Sequence, residues 1–424
     1  MAVRAITGVN WGDEGKGRMV DYFAQNADMV IRYQGGNNAG HTVINNYGKF
    51  ALHHIPSGIF NKNAKNIIAH GSVVNLEALC HEVTEIENAL GSVELDNLFI
   101  SEKCHIIFPY HILLDQYEEE RLKDKKFGST KRGIAPVYSD KYLKIGIHMS
   151  SIFNKDYLIN RIKHVLEVKN QVFEHIYKKP HIQADEMMDW VLHWGEKVKD
   201  KITNTITMVQ DAVKNDNDVL LEGQLGALRD IEAGIYPYTT SSSPLPGYAS
   251  VGACIPPKYI ANIIGVMKSY STCVGEGPFV TELFDDTAEY IRKKGKEFGA
   301  STGRPRRIGW LDLVASRYGC LCSGVDEITL TMLDVLNDIE KIKVCTAYSV
   351  NKSQTTDFPD MPLLNEAKPV YETLEGWEND ISGMRNYNEL PDNVKIYIDY
   401  IESYLKIPIK YISVGPEREQ LIIR

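Results

Sequence analysis

The stretch GVNWGDEGKGRMVD, Gly8 to Asp21, constrains this chain more than any other part of it. It follows a short, apolar, β-branched run from Val3 to Val9. It leads into Lys16 to Ala24, where Met19, Val20 and Phe23 recur on one helical stripe. Strand, loop and helix are thus predicted in that order. Glycines at 8, 12, 15 and 17 allow positive φ and inward-turned N–H groups, the geometry in which a helix N-terminus cradles phosphate, and Lys16 adds a positive charge beside them. The common phosphate-loop pattern would need glycine at position 10 and a hydroxyl at 17, where this chain has Asn10 and Gly17. Without the hydroxyl that usually holds Mg²⁺, another oxygen is needed, and Asp13 lies inside the loop. A carboxylate facing phosphates is otherwise repelled, so Asp13 must bind a metal, accept a proton, or both. The plainer alternative is a glycine-rich turn carrying a solvated Asp13 and Glu14.

A second loop, QGGNNAGHT (Gln34 to Thr42), follows an expected strand at Met29 to Tyr33. Gly35, Gly36 and Gly40 would gather Asn37, Asn38 and His41 at the strand end. A histidine beside a phosphate loop can donate a proton or a hydrogen bond to a developing phosphoryl charge, although a lone histidine can equally be structural.

Further strands are expected at Leu52–Ile55, Ile67–His70, Leu98–Ser101, Val219–Leu221, Ile263–Met267 and Ile328–Met332, with a helix over Leu76–Leu90. This alternation predicts an α/β fold, a large, mostly parallel sheet flanked by helices, with ligands at the carboxyl ends of its strands. Residues 110–126 form a charged helical stretch whose EEER run reads as a solvated face. Residues 150–216, rich in Lys, Glu, His and Asn, read as a peripheral helical region without chemistry. The C-terminal third is expected to end in a strand and the ISVGPER turn. No repeat or low-complexity linker divides the 424 residues, so a single domain over 1–424 is expected.

A net charge of −9 argues against nonspecific binding to nucleic acid or acidic membranes, so anionic substrates must meet local basic clusters. Two such clusters stand out: GSTKRG at Gly128–Gly133, and GASTGRPRR at Gly299–Arg307, whose three arginines suit anionic partners. Exposed polar or cationic turns are the alternatives. The seven scattered cysteines contain no CxxC pair, which points to reduced thiols, and Cys320 with Cys322 lacks the neighbours of a zinc site. With no signal peptide and no apolar run of spanning length, a cytoplasmic location is expected.

WGDEGKG followed by QGGNNAGHT resembles the adenylosuccinate synthetase family. The resemblance continues through GSTKRGIAPVYSDK, EGQLGALRDIEAGIYPYTTSS, FGASTGRPRRIGWLD, LTMLDVL and ISVGPER, from residue 4 almost to the end. It implies a P-loop-like fold and a ligase that joins L-aspartate to inosine monophosphate (IMP), driven by GTP hydrolysis, through a 6-phosphoryl intermediate. It gives Asp13 the role of base at ring nitrogen 1 and His41 that of stabilising the transferring phosphoryl group. Mg²⁺ is implied at Asp13 and the Gly40 carbonyl. GTP is implied at Gly12, Asp13, Glu14, Gly15, Lys16, Gly17, Arg18, Gly40, His41, Thr42, Arg306, Met332, Leu333, Asp334, Ser413, Val414 and Gly415. IMP falls to Asp13, Glu14, Gly15, Lys16, Asn38, Ala39, Gly40, His41, Thr130, Lys144, Leu225, Thr240 and Arg304. L-aspartate falls to Ala300, Ser301, Thr302, Gly303, Arg304, Pro305 and Arg306. A homodimer is implied, with Lys144 reaching the neighbouring site.

Three positions depart from the family pattern. Leu225 stands where a glutamine is common, with Gln224 one place earlier, so a register shift or a lost contact is possible. Met332 replaces a lysine before Leu-Asp, and Lys144 replaces an arginine, keeping charge but losing the bidentate fork. A GTP-binding switch would not need an arginine cluster for a small dicarboxylate, and Asp334 argues against an ATP-dependent relative.

Overall fold

The computed structural model describes residues 3–299 and 303–424. A ten-stranded sheet runs through the molecule in the order 421–423, 409–413, 327–331, 260–268, 3–8, 219–222, 29–32, 65–68, 98–101, 202–203. Every neighbouring pair is parallel except Ile409–Ser413 with Leu421–Ile423. The Val3–Gly8 strand lies inside this order, and its near-continuous apolar character follows from burial on both faces. Helices cover the two faces. Lys16–Phe23 packs Met19, Val20 and Phe23 against Ile6, Val30 and Leu220, the stripe expected from the sequence.

The expected strands at 67–70, 98–101, 219–221, 263–267 and 328–332 all occur, within a few residues of the expected limits. Leu52–Ile55 differs. The strand is Gly48–Leu52, and it forms a hairpin with His41–Asn45 outside the main sheet. Its turn is polar, with Asn45 Oδ1 accepting from Tyr47 N, while Phe50 and Leu52 alternate inward. Residues 53–55 instead give their N–H groups to the buried Glu82 carboxylate. The EEER stretch is solvated at Glu118, Glu120 and Arg121, as expected, and departs from that reading at Glu119. Glu119 is buried and accepts from the N–H groups of Phe127 and Gly128, so it fixes the entry to the 128–133 loop instead of facing water.

The region 150–216 is helical as expected, with helices Lys155–Val172, Ala184–Glu196 and Thr205–Lys214, and its Ile202–Thr203 strand closes one sheet edge. A second, smaller sheet, built around the long antiparallel pair Ile339–Val350 and Lys368–Trp377, was not anticipated. Lys and Glu on its exposed face hide the alternation of buried Ile342 and Val344.

Candidate active site

The ends of the parallel strands deliver the site. Gly8 leads into the phosphate loop, Arg32 into the second glycine loop, and Glu222, Lys268, Thr331 and Ser413 end neighbouring strands. Gly15 sits in the left-handed region at φ 95° and starts the Lys16–Phe23 helix without a side-chain cap. A Cβ on Gly17 would lie 2.6 Å from the His41 Cβ, so the two glycine loops approach too closely for a hydroxyl-bearing residue at 17. The departure from the common phosphate-loop pattern thus has a steric cause.

Glu14 is buried beneath the loop. Its Oε1 accepts from Gly12 N at 2.7 Å and Asn10 N at 3.2 Å, and its Oε2 takes Lys16 Nζ at 2.6 Å. A carboxylate of the chain itself therefore occupies the donors that a phosphate would use. Asp13, left-handed at φ 61° and with 32% of its side chain exposed, places Oδ2 3.1 Å from Arg306 Nε. Burial favours the protonated acid, but Arg306, followed by Lys268, Lys16 and His41, outweighs it and holds the Asp13 carboxyl below its ordinary range.

His41 begins the Gly48-paired strand and is buried. Its Nδ1 lies 2.5 Å from Glu222 Oε1, and its buried Nε2 has no partner among the described residues. Burial, followed by the charge of Arg32, pushes the imidazole down to about 4. Burial works against ionisation of Glu222, yet Arg32, His41 and Ser57 bring it down to about 2. The imidazole is therefore neutral, donating from Nδ1 to a carboxylate and leaving a lone pair at Nε2.

A cavity of about 660 Å³ opens beside Asp13, and Asn38, Ala39, Gly40, Thr130, Leu225 and Thr240 line it. Leu225, left-handed at φ 60°, faces this space. Gln224 turns away: its backbone carbonyl accepts from Gln34 Nε2 at 2.9 Å and its buried side chain lies under Gly35. No shift of register brings the glutamine into the cavity, so the apolar Leu225 stands there in its own right. Lys144 is exposed and lies outside the lining of this cavity.

At the other end, Arg18 reaches Ser413 Oγ and, at 2.6 Å, the Glu417 carbonyl. Asp334 follows the Glu327–Thr331 strand, and its buried Oδ1 has no partner among the described residues. Burial raises its carboxyl, with Arg18 and Lys294 opposing. Met332 is left-handed at φ 63°, and its carbonyl accepts from Ser269 Oγ. Leu333 and Val414 are core residues whose side chains pack inward, so they face this end only through backbone; Gly415 O accepts from Ser413 Oγ. Thr42 is exposed beside His41.

Arg304 and Pro305 are exposed with Gly303, and Arg304 Nη2 donates to the Ser129 carbonyl at 3.2 Å, joining the arginine loop to the 128–133 loop. The expected ligands Ala300, Ser301 and Thr302 lie outside the described residues.

Sequence reasoning missed Arg32, Glu222, Lys268 and Glu297. Three of them carry a readable signal, a charge closing an otherwise apolar strand, as in MVIR, VLLE and IIGVMK. Buried charges persist only when paired, which points to a polar centre at those strand ends.

The sheet, the glycine loop at the end of one of its inner strands, and the cavity beside Asp13 define an α/β protein of the phosphate-loop kind with a candidate nucleotide site. Comparison makes the class specific. The sequence profile of the family described as adenylosuccinate synthetase matches residues 5–422. The adenylosuccinate synthetase of Caldicellulosiruptor bescii is 44% identical over 100% of this chain and 99% of its own length. That of Dehalococcoides mccartyi is 43% identical over 100% of both chains. A structure of fully ligated adenylosuccinate synthetase from Plasmodium falciparum superposes with a TM-score of 0.94 at 38% identity, covering 100% of each chain. A succinoaminodeoxyadenylate synthetase from cyanophage S-2L shares the fold, with a TM-score of 0.60 at 16% identity over 100% of this chain and 95% of its own. The chain belongs to the adenylosuccinate synthetase family, and its activity is the GTP-dependent ligation of L-aspartate to IMP in purine nucleotide biosynthesis.

Proposed function

We propose that the ligation proceeds in two steps at one centre, with Asp13 acting on the purine ring and His41 on the transferring phosphoryl group. The observation that carries this reading is the contrast between two groups near enough for the charge of one to act on the other. Asp13 is held ionised beside a guanidinium, while His41 is held neutral with an unpartnered Nε2. Oxygen 6 of hypoxanthine is a poor leaving group and must first be activated. Asp13 accepts the proton from ring nitrogen 1, the electron pair moves to oxygen 6, and that oxygen attacks the γ-phosphorus as GDP departs. The free amino group of L-aspartate then attacks carbon 6, the carbon–oxygen bond breaks, and phosphate leaves, taking up the proton that the nitrogen gives up.

His41 serves both steps. The negative charge of the phosphoryl group raises the proton affinity of Nε2, and the Glu222 carboxylate at Nδ1 balances the imidazolium that forms. Nε2–H then donates to the phosphoryl oxygens. Glu14 yields Lys16 and the Gly12 N–H to the GTP phosphates. At the guanine end, the partnerless oxygen of Asp334 suits the N1–H and 2-amino donors of guanine.

The residues present fit Mg²⁺ in one specific way. Asp13 and Gly40 line the same cavity, and among the described residues no three His, Cys, Asp or Glu side chains converge as a metal cage. One carboxylate and one carbonyl suit an ion whose other ligands are phosphate oxygens and water. Bound there, it would neutralise charge on the transferred phosphoryl group. Arg304 and Arg306 receive the carboxylates of L-aspartate, and Asn38, Thr130 and Thr240 hold IMP.

The chain acts as one domain in a cytoplasmic homodimer. In support, one sheet spans residues 3 to 423, and no described helix is long and apolar enough to cross a membrane. Tyr142, Leu143, Val251 and Leu321 are 63–70% exposed, and Tyr142 and Leu143 immediately precede Lys144. Such apolar exposure suits a subunit interface that carries Lys144 to the neighbouring site. Incubating the pure protein with IMP, L-aspartate, GTP and Mg²⁺ should give the ultraviolet shift of adenylosuccinate with one GDP and one phosphate per product. Failure to form product, or undiminished turnover without GTP, would sink the reading.

A further inference from the structure

We propose that Glu297, backed by Lys268 and Tyr270, is the positioning residue for Arg306 and thereby sets the enzyme's affinity for its amino-acid substrate. The inference rests on the reading of Arg306 as a receiver of the aspartate carboxylate.

Glu297 is fully buried, and each of its carboxylate oxygens is engaged. Oε1 accepts from Lys268 Nζ at 2.7 Å and from the Tyr270 hydroxyl, and Oε2 accepts from Arg306 Nη1. Lys268 is itself fixed by Thr272 Oγ1 at 2.8 Å. A buried carboxylate with three donors, two of them cationic, is costly to assemble unless its geometry is used. What it orients is one guanidinium. The Arg306 backbone is already clamped, its N–H donating to the Glu297 carbonyl at 2.9 Å and its carbonyl accepting from Arg292 Nε at 3.1 Å. Phe298 and Pro305 also pair antiparallel, so the neck of this hairpin is held without the Glu297 side chain. That side chain decides only where the guanidinium points.

Charge balance gives the arrangement its direction. Lys268 and Arg306 carry two positive charges, and Glu297 and Asp13 two negative ones, in one connected chain of contacts. Arg306 bridges the two carboxylates, with Asp13 at Nε and Glu297 at Nη1. When Asp13 turns to its work on the nucleotide, Glu297 remains as the anchor, and the rest of the guanidinium fork is presented to an incoming carboxylate. With Glu297 neutral, Arg306 has Asp13 as its one strong partner and stays folded over it, so the substrate carboxylate must compete for the fork.

The test compares Glu297→Gln, Tyr270→Phe and Arg306→Ala on full-length enzyme, with separate KM values for each substrate. Arg306→Ala should raise the KM for L-aspartate by about a hundredfold, the loss of a charge-assisted bidentate contact. Glu297→Gln should raise it about tenfold, with the KM for IMP within twofold of the parent. Tyr270→Phe removes one donor from Glu297 and leaves the backbone alone; it should give an increase of about threefold in the same KM, and it decides the matter if Glu297→Gln does not fold. If Arg306→Ala has its effect while the other two leave the aspartate KM unchanged, or raise all three KM values together, Glu297 is a structural residue of the hairpin neck and the proposal falls. If Arg306→Ala itself leaves the aspartate KM unchanged, Arg306 does not receive the carboxylate, and the proposal falls with that reading.

Discussion

Asp13 and His41 are prepared for opposite tasks by neighbours that sit at strand ends, so their removal should separate chemistry from folding. Asp13→Ala loses a base and a metal ligand together, and its turnover should fall about a thousandfold or more, since acid–base effects alone reach roughly 10²–10⁴. His41→Asn keeps some hydrogen bonding but cannot carry a proton. It should depress kcat strongly while IMP and GTP still bind, the mark of an interaction made mainly in the transition state. Titration calorimetry and turnover on the same folded proteins decide this: near-normal turnover in either variant removes that residue from the mechanism.

Asp334 allows an independent test at the base. Asp334→Asn replaces an acceptor by an amide donor, so GTP should weaken by roughly tenfold to a hundredfold and xanthosine triphosphate, with an acceptor at position 2, should improve. Unchanged selectivity between GTP and ATP would contradict the assignment. Asp13, His41 and Asp334 were legible because loops display their chemistry in short motifs. For Glu222 and Arg32 only the charge at an apolar strand's end is legible and their partners are not, because those lie far away in the chain: Glu222 lies 181 residues from His41 and 190 from Arg32. Pairing of that kind is decided by the sheet order and leaves no local pattern.

At the scale of elements, helices and inner strands were legible because burial on both faces leaves continuous apolar runs. The 41–52 hairpin and the 339–377 pair were misread or missed, because strands exposed on one face dilute the apolar signal with Lys and Glu. The Leu313–Ser323 helix offers a test of burial. Its N-cap Asp312 is fully buried, accepts from Ala315 N and from the Tyr348 hydroxyl, and burial pushes its carboxyl up to about 6. A carboxyl raised in the folded state binds protons that the unfolded chain has already released. Stability from this group is thus fully present below about pH 4 and is lost as pH rises to about 6, by on the order of 3 kcal/mol. Asp312→Asn keeps the capping oxygen and removes the titration. The difference in unfolding free energy, parent minus variant, should fall between pH 4 and 6 and then level off; a flat difference would mean that Asp312 is ionised at no cost.

At the scale of the molecule, the two glycine loops meet because their strands end on one side of the sheet, and the 128–133 loop, between two helices, is joined to the arginine loop through Arg304 and Ser129. The meeting of the glycine loops follows from the alternating strand and helix pattern, whereas the subunit interface leaves no comparable signal. Mixing Lys144→Ala with Asp13→Ala proteins should restore part of the activity, since each mixed dimer would hold one intact site. If subunits exchange and none returns, the sites are not shared.

The division of labour between Asp13 and His41 stands or falls on whether oxygen 6 of the purine is phosphorylated. That oxygen attacks the γ-phosphorus and later leaves with it, so its fate records the path. IMP labelled with ¹⁸O at carbon 6 should pass its label to the inorganic phosphate released, one labelled oxygen per adenylosuccinate formed. Label found in water, with none in phosphate, would mean direct displacement by the amine and would contradict the mechanism.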